Sequence, residues 1–229
     1  MDTTEPAWFN PVTNFIALII GAALSYFVTW KFERRREKRE QKAQAFGLIF
    51  LLQSACNDLM QLTNILREIS FERSEELAAG TPLWQLMPIS FGWDQEFVIK
   101  PEELGLLAGT KDNELVMRVQ ETISAHRIYT RAANRVSELK LEFVNSGLAT
   151  SSSGQLVSFQ VTEQQLAQIT PIISQLDALC TKLSGDLAEA THRATECARL
   201  VPRKLKEYYK FDHLAGLVFK PLIEDAPTK

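Results

Sequence analysis

Residues 11 to 30, PVTNFIALIIGAALSYFVTW, form a run without a charged side chain. About 20 such residues at ~1.5 Å rise match the ~30 Å hydrocarbon core of a bilayer, so the run predicts a transmembrane helix. Trp8, Phe9 and Trp30 bracket it, where aromatic rings favour the headgroup boundary. A cleaved signal peptide is the rival reading. It needs a positive n-region, and residues 1 to 10 carry Asp2 and Glu5 with no Lys or Arg.

From Ala45 the apolar positions switch to a 3-4 spacing: Ala45, Leu48, Leu52, Ala55, Leu59, Leu62, Leu66, Ile69. This heptad seam predicts a helix over 43–70, and with no Pro between it and Trp30 the two stretches read as one continuous helix. A second periodic stretch, 113–145, places Val116, Val119, Ile123, His126, Tyr129, Ala133, Val136 and Phe143 on one side. The third, 163–201, runs Leu166, Ile169, Ile173, Leu176, Cys180, Leu183, Leu187, Ala190, Ala194, Cys197, Val201. Thr162 with Gln165 reads as a capping box that opens it, Pro202 as its end, and Pro171 as a bend or a displaced start.

The expected fold is therefore all-α: a single N-terminal transmembrane helix continuing into a cytoplasmic antiparallel bundle of three long heptad-patterned helices, with short distal helices. At ~1.5 Å per residue the three long helices span ~42, ~50 and ~58 Å, so an up-down order fits them side by side. The divisions are a short extracytoplasmic tail (1–10), the transmembrane helix (11–30), a basic juxtamembrane segment (31–42), the bundle (43–201) and a C-terminal cap segment (202–229). Within the bundle lie an irregular aromatic and Pro-rich segment (71–112) and a Ser-rich linker (146–161). In the up-down order the linker faces the bilayer, and 71–112 meets 202–229 at the far end. Trp84, Phe91, Trp93, Phe97, Tyr208, Tyr209 and Phe211 then form one distal aromatic cap. Closing the bundle end by burial is its plain role, and a partner surface is the functional one.

Charge sharpens the picture. The chain of 229 residues has a formal net charge of −3, yet KFERRREKREQK at 31–42 holds seven basic residues (Lys31, Arg34, Arg35, Arg36, Lys38, Arg39, Lys42) against three Glu. The positive-inside bias places the N-terminus outside and the C-terminal domain in the cytoplasm, at a plasma or bacterial inner membrane. The basic flank would touch anionic lipid. Residues 43–229 are left mildly acidic, which argues against nucleic acid as a partner.

Candidate chemistry is sparse. The three cysteines, Cys56, Cys180 and Cys197, lie on or beside helix seams without a C-x-x-C pair, and His126, His192 and His213 belong to no metal-ligand spacing. Gly105-Leu-Leu-Ala-Gly109-Thr110-Lys111 superficially resembles a P-loop but has three residues between its glycines instead of four, Thr before the Lys, and a helix-like PEEL at 101–104 before it. No catalytic residue, cofactor or metal is assigned, and an enzyme is not expected. The sharpest pattern is Asn14, Ala17, Gly21 and Ser25, a polar and small ridge that would let two membrane helices approach closely. The leading expectation is a membrane-anchored adaptor or scaffold, self-associating through this ridge and binding an unidentified protein. An oligomeric membrane effector or pore-forming subunit is the second reading, and an enzyme with a cryptic distal site the third. The layout resembles single-pass proteins with a basic juxtamembrane stretch and a helical cytoplasmic domain, a likeness that transfers no residue roles.

Overall fold

The computed structural model describes residues 9–88, 97–145 and 162–211, with side chains from residue 13 onward except that of Gln165. Six helices follow in order: α1 Phe9–Glu72, α2 Ser74–Ala78, α3 Leu83–Leu86, α4 Pro101–Gly109, α5 Asn113–Phe143 and α6 Glu163–Tyr209. No strand occurs among the described residues. The all-α bundle fold and its long apolar N-terminal helix are as the apolar periodicity demands. Packing divides the chain into two units, Met1–Gln44 and Ala45–Lys229.

In the first unit the described part of α1 contains a window of mean hydropathy 1.7 that is long and apolar enough to cross a membrane, and none of it is buried. Phe15, Leu18, Leu24 and Tyr26 are each at least 60% exposed. The Trp30 ring closes this stretch, with the Phe27 ring 6.1 Å away and the Arg34 guanidinium carbon 5.2 Å over its face, a favourable cation–π arrangement.

The second unit is built on the three heptad seams. All eight α1 seam residues from Ala45 to Ile69 are buried, as are nine of the eleven on α6. The exceptions are half-buried Ile173 and exposed Leu166, which the heptad pattern had placed inside. The register explains Leu166. Thr63 on α1 meets Thr191 on α6 at 2.8 Å, and Cys56 meets Thr195 at 3.3 Å. These pairs set α1 and α6 antiparallel, so the first turns of α6 run past the end of α1.

The direction of α5 differs from the up-down order. His126 on α5 reaches Asp58 on α1, and Leu115, Val119 and Ile123 share a cluster with Ala45–Ala55. Val136 and Leu139 share another with Leu62, Leu66 and Ile69. Thus α5 runs parallel to α1, and α6 is antiparallel to both. The connection over 73–112 is long enough to travel back along the bundle, and α4 fixes its return by seating Leu106 and Leu107 against the α1 seam.

Local chemistry marks the corners. Gly80 takes φ +89 after α2, a left-handed turn residue where a Cβ is costly, while its N–H bonds Leu77 O at 3.0 Å. Pro101 opens α4 as its first residue, and the Glu103 carboxylate accepts from Lys100 N at 2.9 Å. Asp112 caps α5 by accepting from Leu115 N at 3.0 Å. Its carboxyl is held below the usual range by that bond and then by Lys204 of α6, 3.2 Å away.

Pro202 does not end α6, which continues to Tyr209 with both Pro171 and Pro202 inside it. A helix-interior Pro forfeits a backbone hydrogen bond and costs ~3 kcal/mol. Burial of Val201 and Leu205 and the bond from Tyr209 Oη to Leu106 O at 2.8 Å offset that cost. Lys210, at φ 51, then turns the chain so that Phe211 is buried.

Candidate functional site

The aromatic residues expected to form one cap are divided between the two ends of the bundle. Trp84 is buried on α3 with its ring edge-on to Phe143 at 5.6 Å, in the cluster that holds Ile69, Leu139 and Leu176. Phe97, Tyr209 and Phe211 share the cluster that holds Ala45, Leu115 and Val201. Leu115 and Leu139 are roughly 36 Å apart along α5, so Trp84 cannot share a surface with the other three. Tyr209 stacks on Phe211 at 5.3 Å and packs edge-on against Tyr208 at 4.9 Å. Tyr208 is 49% exposed and is the member of this group that a partner could reach. Phe91 and Trp93 lie outside the described residues, as do residues 146–161 and 212–229, His213 among them.

Two polar groups inside the bundle, on His126 and Lys140, have partners that sequence reasoning missed, whereas the buried Trp84 Nε1 has none among the described residues. His126 is buried on its seam as expected, but it is not alone: Nε2 stands 2.8 Å from Asp58 Oδ2, and the Phe97 ring covers the imidazole at 4.5 Å. A proton on Nε2 donated to the carboxylate gives that nitrogen a partner inside an apolar seam. The only hint in the sequence was an acid beside the seam residue Leu59. Lys140 is buried too. Its ammonium donates to the carbonyls of Met87 and Gln85, closing the C-terminal end of α3, and burial lowers its pKa. His192 is a surface residue, 3.5 Å from Glu196 and 74% exposed.

All three cysteines are free and buried. Burial pushes each thiol up, Cys180 to about 12 with a further push from Asp177. These are thiols held protonated, not poised nucleophiles. Between pH ~9 and ~12 the unfolded chain sheds thiol protons that the folded chain keeps, so stability falls with rising pH. Lys140 acts in the opposite sense, because below its ordinary pKa the unfolded chain is the one that binds the extra proton. Three thiols, with Tyr129 and Tyr209 also raised by burial, act in the first sense, and Cys180 has the largest shift among them. Urea midpoints taken at pH 8 and pH 11 should fall, and fall less for Cys180→Ala. Parallel profiles in the two proteins would remove Cys180 as a source of the alkaline loss.

The P-loop look-alike is helix: Gly105 and Gly109 lie on α4, so its amides are committed to the helix instead of converging on a phosphate. Among the described residues no three His, Cys, Asp or Glu side chains are grouped to hold a metal ion.

The outer side of α5 and α6 carries an open groove of about 610 Å³. Ala125, Ala190 and Ala194 give it small walls, Tyr129 lies among them, and Arg118, Lys182, Arg193, Glu121 and Glu196 line it with mixed charge. Ile128 is 45% exposed beside it. Small walls with a charged rim suit a helical segment laid along the groove.

In the first unit, Asn14, Ala17, Gly21 and Ser25 are all exposed along α1, and a Cβ placed on Gly21 meets nothing within 4 Å. The basic residues from Lys31 to Arg39 are exposed and Lys42 is half-buried. No protein-family model matches the chain, and no curated protein or solved structure is significantly similar to it.

Proposed function

We propose that the chain is a membrane-anchored scaffold: α1 spans the bilayer once, copies associate through that helix, and the bundle faces the cytoplasm and binds a protein partner. The observation that carries this reading is the double character of α1. One helix supplies a fully exposed apolar window and, further along, the buried seam of the bundle. Such a helix gains by placing its first part in lipid, where an exposed 18-residue window of predominantly apolar character needs no protein cover. The α5/α6 groove and the exposed Tyr208 are the surfaces on which a partner would be held. The basic flank supports a cytoplasmic bundle through the positive-inside bias.

Cysteine labelling with a membrane-impermeant probe tests the arrangement in intact cells. A chain with Thr3→Cys should be labelled and one with Ser152→Cys should not. Labelling at 152 with protection at 3 would reverse the orientation, and protection of both would remove the span. The polar and small ridge also favours a second reading, in which several anchors line a pore or perturb the bilayer. That reading requires leakage from vesicles and the scaffold does not.

A further inference from the structure

The juxtamembrane part of α1 carries charge of one sign on each side. At ~3.6 residues per turn, Lys31, Arg34, Arg35, Lys38, Arg39 and Lys42 fall within an arc of roughly 140°, and Glu33, Glu37 and Glu40 form a stripe about 60° wide on the other side. Arg36 borders the acidic stripe and is tied to it, Nε to Glu40 Oε1 at 2.8 Å. Contact with lipid headgroups needs no such sidedness. On the anchored reading Lys38 to Lys42 stand ~12 to 18 Å beyond Trp30, so Lys42 lies past the ~8 to 10 Å over which salt screens the charge of a headgroup layer that itself extends ~5 to 7 Å from the hydrocarbon. A partner lying alongside the helix is what would read one side and not the other.

We propose that this partner is a second copy of the chain, packed front to back, with the cationic face of one α1 against the acidic stripe of the next. The proposal rests on the anchored reading, since two copies inserted in the same direction bring residues 31–42 to the same depth. Glu37 of one copy then lies level with Lys38 of its neighbour without any shift of register. A two-fold pair is opposed by the same charges. Arg35 and Arg39 stand about five turns beyond Ala17 and Gly21 on the same side of the helix, so a symmetric contact through the small-residue ridge sets each arginine against its own counterpart. The front-to-back contact leaves one acidic stripe and one cationic face unmatched at its ends, so it propagates into a ring or a row instead of stopping at two copies.

Disulfide trapping between two differently tagged full-length chains decides the matter, one carrying Glu37→Cys and the other Lys38→Cys. The native thiols are buried at 0%, 3% and 1% exposure and stay out of the reaction when isolated membranes are mildly oxidised. The mixed disulfide should exceed either same-position disulfide several-fold, and adding Glu33→Lys and Glu40→Lys to both chains should remove it. Same-position disulfides at equal or greater yield, no cross-link in membrane-embedded chains, or a mixed disulfide that survives the two added lysines would each overturn the front-to-back contact while leaving the anchor intact. Recovery of the chain in the soluble fraction would overturn the anchored reading, and this one with it.

Discussion

A full-length chain carrying Leu183→Asp should lose the cooperative thermal transition of its bundle. Leu183 is wholly buried midway along α6, in a cluster with Leu62, Val136, Leu139 and Leu187. The substitution removes a buried isobutyl group and places a carboxylate in an apolar cluster. Losing the leucine alone costs ~2 to 5 kcal/mol, and burying an unpaired charge adds more unless the group is neutralised. A domain of this size has ~5 to 15 kcal/mol in total, so the variant should be largely unfolded or melt tens of degrees lower. The check is circular dichroism at 222 nm in detergent, with the parent alongside. Coincident melts would mean that the α6 seam is exposed and the packing described here is wrong.

The seam could be read from the sequence because burial follows apolar spacing, and a 3-4 alternation leaves little choice of face. Ala45, Leu52, Leu59 and Leu183 went inside for that reason. What the spacing lacks is direction, since a seam reads the same from either end. The parallel course of α5 was therefore hidden in the 40-residue connection, whose return depends on Leu106 and Leu107 docking on α1. Local rules failed where packing outweighed them: Pro202 sits inside α6 because the residues after it gain more by burial than the helix loses. The polar pairs were illegible for another reason. Lys140 finds its acceptors at residues 85 and 87, more than fifty positions away, and no periodicity links positions so remote. The aromatic cap was misplaced as well as divided: Phe97, Tyr209 and Phe211 converge, but beside Ala45 and Leu48 where α1 enters the bundle and not at its far end, because α5 runs parallel to α1, whereas Trp84 belongs to the opposite end.

Gly21→Ile carries the largest effect on association. A Cβ at Gly21 meets nothing of its own chain within 4 Å, so the new side chain leaves the fold of the parent undisturbed and its hydrophobicity preserves insertion. What it can obstruct is close approach by another helix. Loss of ~1.4 kcal/mol of packing would weaken association roughly tenfold. Membrane abundance should be unchanged. An association unaltered by Gly21→Ile would remove the ridge from the interface and leave the charged faces of residues 31–42 to carry it.

The anchored scaffold is tested most directly by energy transfer between fluorescently labelled copies in vesicles that also hold a self-quenched dye. Transfer in the parent, its loss in Gly21→Ile, and dye retained in both is the expected result. Dye released in step with transfer would contradict the scaffold and put a pore-forming membrane effector in its place, and a parent that shows no transfer would contradict self-association itself.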